Sequence, residues 1–417
     1  MEAALQSIFR TEFKSYRKMH GLSIDQIKAV HAIMDCRSDE LGHEAWLCRD
    51  DDYVLRQPHS CRHRSCPLCN GSQSREWLDK IKTKLLPCDH YHVVFTLPHE
   101  LNAIWYYNRR WCSDKLFQAT TETLRELLKD ERYLGGEVGL LSSLHTWGRT
   151  QIFHPHMHVL VSGIGLHGND VRNVENDFLL PVGVLKAKFR GKWLSWLNQA
   201  YANNEIKLPQ AWTELDWRRV LRQVSRKNWN IRIQGAYKHG EGVAVYLSRY
   251  VRGGPIKNRQ IISADNQRVT FCYKDHHDSK SKTMTLPIAD FMTRVLWHVA
   301  VTGQHQVRYY GLYASGAKEK RDRVRSALGL ELEKVFVKPV KEAPTCPQCG
   351  HYLVHAVSTR REISYIKSRH VQQCVRSTSQ RGSFWDGSRL AVKSYFFVDK
   401  RSINKALCLK ITLPRRT

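Results

Sequence analysis

The segment His154-Pro155-His156-Met157-His158 sets imidazoles at alternate positions. Alternate side chains of a β-strand share a face, so His156 and His158 could hold one divalent ion side by side. His145, in Leu144-His145-Thr146-Trp147, is placed to add a third nitrogen from a hairpin partner. A second pair stands in Tyr246-Leu247-Ser248-Arg249-Tyr250; at i and i+4 of a helix the phenols share a face, with Cβ atoms about 5–6 Å apart. A free tyrosine, with a pKa of about 10, is a poor nucleophile at neutral pH. A divalent ion on the imidazoles would bind the non-bridging oxygens of a phosphodiester and stabilise the charge that develops there. Attack by tyrosine would give a 5′-phosphotyrosine and free a 3′-hydroxyl. The bond energy stays in the adduct, so no nucleotide cofactor is expected, and the chain has no G-x4-G-K-[ST] loop. Taken singly, each pair has a plainer reading, as ordinary strand histidines and as core tyrosines. The basic flank Arg249, Arg252, Lys257 and Arg259 weighs against a core helix.

Cysteines carry the next signal. In HSCRHRSCPLCNG the spacing is Cys61-x4-Cys66-x2-Cys69, with Pro67 and Gly71 shaping a turn on which two thiolates can face one ion. Cys48 is the expected fourth ligand of a structural zinc, with His59 or His63 as substitutes; reduced, packed cysteines are the alternative. Four protein ligands leave no open position, so this ion would be structural. Arg62 and Arg64 on the same knuckle are candidate phosphate contacts. A second zinc set is read in Cys346-x2-Cys349-x20-His370-x3-Cys374, with His351 and His355 as alternatives.

The chain has 417 residues, with 66 Lys+Arg against 39 Asp+Glu, a formal charge of +27 that asks for a polyanion; nucleic acid is the expected partner. At 42% hydrophobic residues it can bury cores, which excludes wholesale disorder. No apolar run approaches the roughly 18–20 residues that span a bilayer, and no basic-then-apolar leader opens the chain, so a cytoplasmic, nucleoid-associated protein with no membrane partner is expected. His90 to Pro98 reads as a strand, 112–133 as a helix, Leu140 to Trp147 and Phe153 to Val161 as a hairpin, 242–252 as a helix, and 259–263 and 267–273 as strands. This order predicts an α+β fold with an antiparallel sheet and flanking helices. The expected organisation is a zinc-binding, DNA-contact module over 1–75, a nuclease domain over 88–300 with a Trp-rich, basic insertion at about 168–235, and a basic C-terminal module over 301–417. Trp193 and Trp196, among Lys186, Lys188, Arg190 and Lys192, are candidate stacking platforms for single-stranded DNA; helix-core tryptophan is the alternative.

Together these residues resemble the two-tyrosine rolling-circle insertion-sequence transposases of the HUH endonuclease superfamily. The resemblance runs over most of the chain: the HSCRHRSCPLC knuckle, the VVFTLP strand, LHTWGR and FHPHMHVLVSGIG, YLSRYVRGGPIKNR, and VRYYGLYA from Val307 to Ala314. It implies single-strand DNA nicking and transfer at transposon ends, with His156 and His158 binding Mg²⁺ or Mn²⁺ and Tyr246 and Tyr250 as nucleophiles. Zinc would be structural. One departure stands out: where the family usually has a paired Cys-x2-Cys upstream of the knuckle, this chain has Cys48-x2-Asp51. Rival readings are a plasmid rolling-circle replication initiator and a non-catalytic, zinc-containing DNA-binding regulator. The sequence gives no oligomeric state, DNA end or order of tyrosine use.

Overall fold

The pattern HYHVVFT at 90–96 alternates, and so does FHPHMHVLV at 153–161; strands with one apolar face are the result. The computed structural model describes residues 4–238, 242, 244, 245, 248, 253–275 and 278–359, all within one compact unit, Met1–Ser364. Its strands are β1 (His43–Leu47), β2 (Val54–Pro58), β3 (His90–Thr96), β4 (Glu137–Trp147), β5 (Phe153–His167), β6 (Asp170–Asn173), β7 (Ile231–Tyr237), β8 (Ile261–Ala264), β9 (Arg268–Lys274), β10 (Ser281–Pro287), β11 (Val307–Gly311) and β12 (Val354–Ser358). The helices are α1 (Ala4–Met19), α2 (Ile24–Asp35), α3 (Asn70–Lys82), α4 (Asn102–Tyr107), α5 (Arg109–Lys129), α6 (Val182–Ala202), α7 (Glu214–Arg226), α8 (Ile288–Trp297) and α9 (Lys318–Ala327). The architecture is α+β, with antiparallel pairing throughout the named strands.

The central sheet runs β11-β4-β5-β3-β7, with β6 paired to β5. On one face, Val93 and Phe95 of β3, Leu140 and Leu144 of β4, and Met157, Val159 and Val161 of β5 share a core with Leu116 and Leu124 of α5 and Phe189 and Trp193 of α6. The other face carries the opposite parity: Leu141, Leu160 and Ile164 are buried with Ile81, Leu312, Val324 and Ala244. His145 follows Leu141 on that face, as His156 and His158 precede Leu160. Parity therefore puts the apolar set under α5 and α6 and the imidazoles on the reverse side. Residues 242, 244, 245 and 248 are helical, so the helix expected at 242–252 contributes Ala244 to the histidine side of the sheet.

The amino-terminal module does not stand alone. Phe9 and Phe13 of α1 and Val30 and Ile33 of α2 share a core with Cys66, Ile256, Phe271 and Phe291. The strands expected near 259–273 thus form a separate sheet, β10-β9-β8, that packs with the first 70 residues rather than extending the nuclease sheet. Likewise β11 lies at the edge of the central sheet, so that sheet takes in residues beyond 300. Among the described residues no helix is long and apolar enough to cross a membrane.

Candidate active site and metal centres

Register brings the three histidines together. His145 of β4 lies opposite His156 of β5, and Ser143 opposite His158. Each imidazole offers one ring nitrogen, and the three nitrogens lie within 4.8 Å of one another. The surrounding hydrogen bonds decide which nitrogens can coordinate. His156 Nδ1 is 2.7 Å from the His154 carbonyl, which only accepts, so Nδ1 carries the proton and Nε2 keeps its lone pair. His158 Nδ1 is 2.8 Å from His92 Nε2, and His92 Nδ1 is 2.7 Å from Gln234 Oε1. With the amide oxygen accepting, His92 donates to Gln234 and accepts from His158, which makes Nε2 the lone-pair nitrogen of His158.

Burial keeps these rings neutral. Desolvation pushes His156 down to about 4. It also holds His158 and His145 well below the ordinary histidine value, with the charges of His156 and Arg64 adding to the effect on His145. A neutral imidazole is the form that binds a metal. Three such ligands on one side leave coordination positions for substrate oxygens and water, so the arrangement suits a catalytic ion. A narrow cleft near the end of β4 is lined by Arg64, Arg109, Thr146, Trp147 and His298, and none of the three imidazoles lines it. Arg64 is linked to the trio by its electrostatic effect on His145. A depression of about 650 Å³ lined by Asn169, Lys318, Asp322 and Arg323 has mixed charge and no histidine or cysteine.

Tyr246, Tyr250, Arg249 and Arg252 lie outside the described residues. Their flanks are described. Ala244 belongs to the buried cluster behind the histidine face, and past the tyrosines Gly254 meets the knuckle, where a Cβ would lie 2.9 Å from the Ser65 carbonyl oxygen. Ile256 is buried with Cys66 and Cys69. The knuckle thus anchors the chain leaving the tyrosine segment. Lys257 is exposed and caps the short helical turn at 258–260.

The cysteines regroup. Cys36, Cys61, Cys66 and Cys69 offer sulfurs within 4.8 Å of one another, with Cys61 and Cys69 Sγ 3.7 Å apart. Zn–S bonds of about 2.3 Å put tetrahedral sulfurs about 3.8 Å apart, so these four fit zinc. Hydrogen bonds from Cys61, Cys66 and Cys69 hold the Cys36 thiol far below its ordinary pKa, while the contact with Cys36 drives Cys66 far above it. The expected fourth ligand, Cys48, is not in this set. It lies on the turn after β1 with its Sγ 3.3 Å from that of Cys349, because β1 carries it away from the knuckle. Cys36, at the end of α2, takes its place. His59 is engaged by the Thr359 carbonyl at 2.9 Å, and His63 accepts from the Ser65 N–H at 3.2 Å; neither joins the four sulfurs.

The tryptophans also move in meaning. Trp193 is 1% exposed in the main core, edge-to-face with Trp111, and offers no ring face to a base. Trp217 and Trp229 are buried too. Trp196 is partly buried against that core, with the Lys115 and Lys192 ammonium groups 4.9 and 5.9 Å from its centroid. Lys188 and Lys192 pair with Glu126 of α5. The α6 tryptophans are the core side of a helix whose polar face is ion-paired, so Trp193 is corrected from a DNA contact to a packing residue. Arg62 is exposed with φ +54°, and Arg64 turns into the cleft. Of the second zinc set, Cys346 and Cys349 come together with Cys48 and Asp51, whereas His370 and Cys374 lie outside the described residues.

Comparison with known proteins adds independent evidence. A family model described as "Putative transposase" matches residues 139–321, and one described as "Transposase zinc-binding domain" matches residues 8–97. The chain is 33% identical over 366 residues to "Putative transposase y4qJ" of Sinorhizobium fredii (strain NBRC 101917 / NGR234), covering 82% of this chain and 92% of the relative. It is 28% identical over 306 residues to "Transposase for insertion sequence element IS801" of Pseudomonas savastanoi pv. phaseolicola, covering 71% and 72%. No solved structure matches it.

Proposed function

Because this chain belongs to the two-tyrosine, rolling-circle insertion-sequence transposases of the HUH superfamily, we propose that it nicks and rejoins single DNA strands through 5′-phosphotyrosine intermediates. His145, His156 and His158 would hold a Mg²⁺ or Mn²⁺ ion, and Tyr246 and Tyr250 would attack in turn. When bound, the ion supplies Lewis-acid stabilisation of the phosphate oxygens. The chain's own residues do the rest. Attack by a phenol oxygen makes the new P–O bond, and the 3′-oxygen departs and takes a proton. With two phenols, one can hold a cleaved strand while the other engages a second phosphate. Arg64, whose charge acts on His145, would neutralise the DNA backbone beside the scissile group. The close approach of Gly254 to Ser65 fixes the described chain just past the tyrosine positions against the knuckle.

The observation that carries this reading is the meeting of three neutral imidazoles on the sheet face that also receives Ala244, two residues before the first tyrosine. The zinc set at Cys36, Cys61, Cys66 and Cys69 is structural, and the DNA partner comprises transposon ends presented as single strands at the bacterial nucleoid. A replication initiator would use the same chemistry; the zinc-domain match and both transposase relatives favour transposition.

The test uses single-stranded oligonucleotides carrying the element's own ends, with Mn²⁺. A protein–DNA adduct that survives denaturation is expected, and Tyr246→Phe/Tyr250→Phe should abolish it. His156→Ala/His158→Ala should slow cleavage by at least about a hundredfold and leave most DNA affinity. An adduct that persists in the double phenylalanine variant refutes the nucleophile assignment.

A further inference from the structure

We propose that Cys48, Asp51, Cys346 and Cys349 form a second zinc site, which clasps the β1–β2 ribbon to the segment that carries β12. The four ligand atoms lie within 4.8 Å of one another although the two halves are some 300 residues apart in the chain; Cys48 and Cys349 are separated by 301 positions. Cys346 Sγ is 3.0 Å from Asp51 Oδ2, and Cys48 Sγ is 3.3 Å from Cys349 Sγ. That sulfur separation is far above the roughly 2.05 Å of a disulfide and close to the roughly 3.8 Å edge of a zinc tetrahedron. Three thiolates and a carboxylate are all established donor types for zinc.

Each half is built to present its ligands. Gly350 adopts φ +78° and its N–H donates to the Cys346 carbonyl at 2.9 Å, while the Gln348 N–H reaches Cys346 Sγ at 3.4 Å. This turn aims both sulfurs of Cys346-Pro347-Gln348-Cys349 the same way, and an N–H directed at sulfur favours the thiolate. Opposite, the Cys48 N–H donates to Tyr53 O at 3.0 Å and the Tyr53 N–H to Asp51 Oδ1 at 2.7 Å, which leaves Oδ2 for the site. Asp51 is preferred to His351 as the fourth ligand because Asp51 reaches all three thiols. His351 shares a cluster only with Cys349 and Asp50, and its Nδ1 is held by Asp50 Oδ2 at 2.5 Å. So the departure at Asp51 from a paired Cys-x2-Cys keeps a hard ligand where the partner segment supplies the missing sulfur.

The clasp also answers a question of stability. Every residue of β12 is exposed, and β2 is nearly so, yet β12 pairs along β1 from Glu44↔Ser358 to Leu47↔Val354. A three-stranded sheet of five-residue strands with so little apolar burial needs a staple, and metal provides one. The transposase match ends at 321 and the zinc-domain match at 97, so neither family match spans both halves of this site.

The experiment counts zinc by elemental mass spectrometry in full-length, reduced protein carrying His156→Ala/His158→Ala, so that the imidazole trio holds none. Two zinc ions per chain are expected. Cys349→Ser and Asp51→Ala should each leave one, and Asp51→Cys should keep two. In parallel, alkylation mapped by mass should find Cys48, Cys346 and Cys349 shielded until a chelator is added, a readout that does not depend on any variant folding. One zinc per chain in the parent, or two in Cys349→Ser, overturns the proposal. So does a loss to one zinc in His370→Ala/Cys374→Ser with Asp51→Ala still holding two, which would move the site to ligands after residue 359.

Discussion

The four-cysteine cluster and the three-histidine cluster both gather ligands from distant parts of the chain, but they close differently. Cys36, Cys61, Cys66 and Cys69 supply the four sulfurs a tetrahedral zinc needs and sit inside a core shared by α1, α2, β9 and α8. His145, His156 and His158 offer three ligands among the described residues, on the reverse face of a sheet. A filled coordination sphere can only hold structure together; an incomplete one can bind substrate. The two are linked electrostatically, since Arg64 of the cysteine knuckle adds to burial in disfavouring the charged form of His145.

The contrast is tested most severely at Cys36 and Cys48. Cys36→Ser should remove the buried zinc and with it cooperative folding of the shared core, because structural zinc contributes on the order of 10 kcal/mol in small zinc-dependent domains. Cys48→Ser should leave that core folded. Zinc content and thermal unfolding of both variants decide the matter; a more destructive Cys48→Ser would break the comparison.

Next in size is the pH dependence of the protein with its structural zinc retained and no divalent ion added for the imidazoles. Burial pushes His156 and His298 down to about 4, whereas an unfolded histidine titrates at about 6.5. Between these values the unfolded chain binds more protons than the folded one, so stability is complete above about pH 6.5 and falls as pH drops towards 4. The loss is up to about 3 kcal/mol for each such histidine. His298 holds its place through the Gln151 carbonyl at 3.0 Å and Thr146 Oγ1 at 3.1 Å. His298→Gln should therefore flatten the decline by about one histidine's share, measured as urea midpoints across that pH range. A slope unchanged by this substitution would mean that His298 titrates as it does when unfolded.

A finer distinction lies within the histidine site. His158 is oriented by a side chain, His92, and His156 by a backbone carbonyl. His92→Leu should weaken Mn²⁺ binding by about 10–100-fold, and Gln234→Ala by less, with the thermal midpoint little changed; calorimetric titration measures both. Unaltered affinity in His92→Leu would show that the His158 ring is fixed by packing alone.

Much of the histidine site was legible from local pattern. Period-two alternation put His156 and His158 on one face, and the hairpin from Leu140 to Val161 made His145 their neighbour. His92 was missed although the same alternation places it on the histidine face; its strand neighbour comes from 66 residues away, and no local pattern pairs them. The tryptophans show the opposite limit. Trp193 and Trp196 read equally well as base platforms or as core, because composition does not say which side of α6 meets the sheet.

By itself, the sequence determined residue chemistry and periodicity: a strongly basic chain, cysteines at knuckle spacing, imidazoles at strand spacing and phenols at helix spacing. These follow from backbone geometry over a few residues. Only the tertiary structure decided which cysteines lie together, replacing Cys48 by Cys36 and sending Cys48 to Cys349. The physical reason is that ligand sets are chosen by distances in space of a few ångströms. Those distances are fixed by how α2, β1 and the segment after 344 pack, and no spacing along the chain encodes that packing.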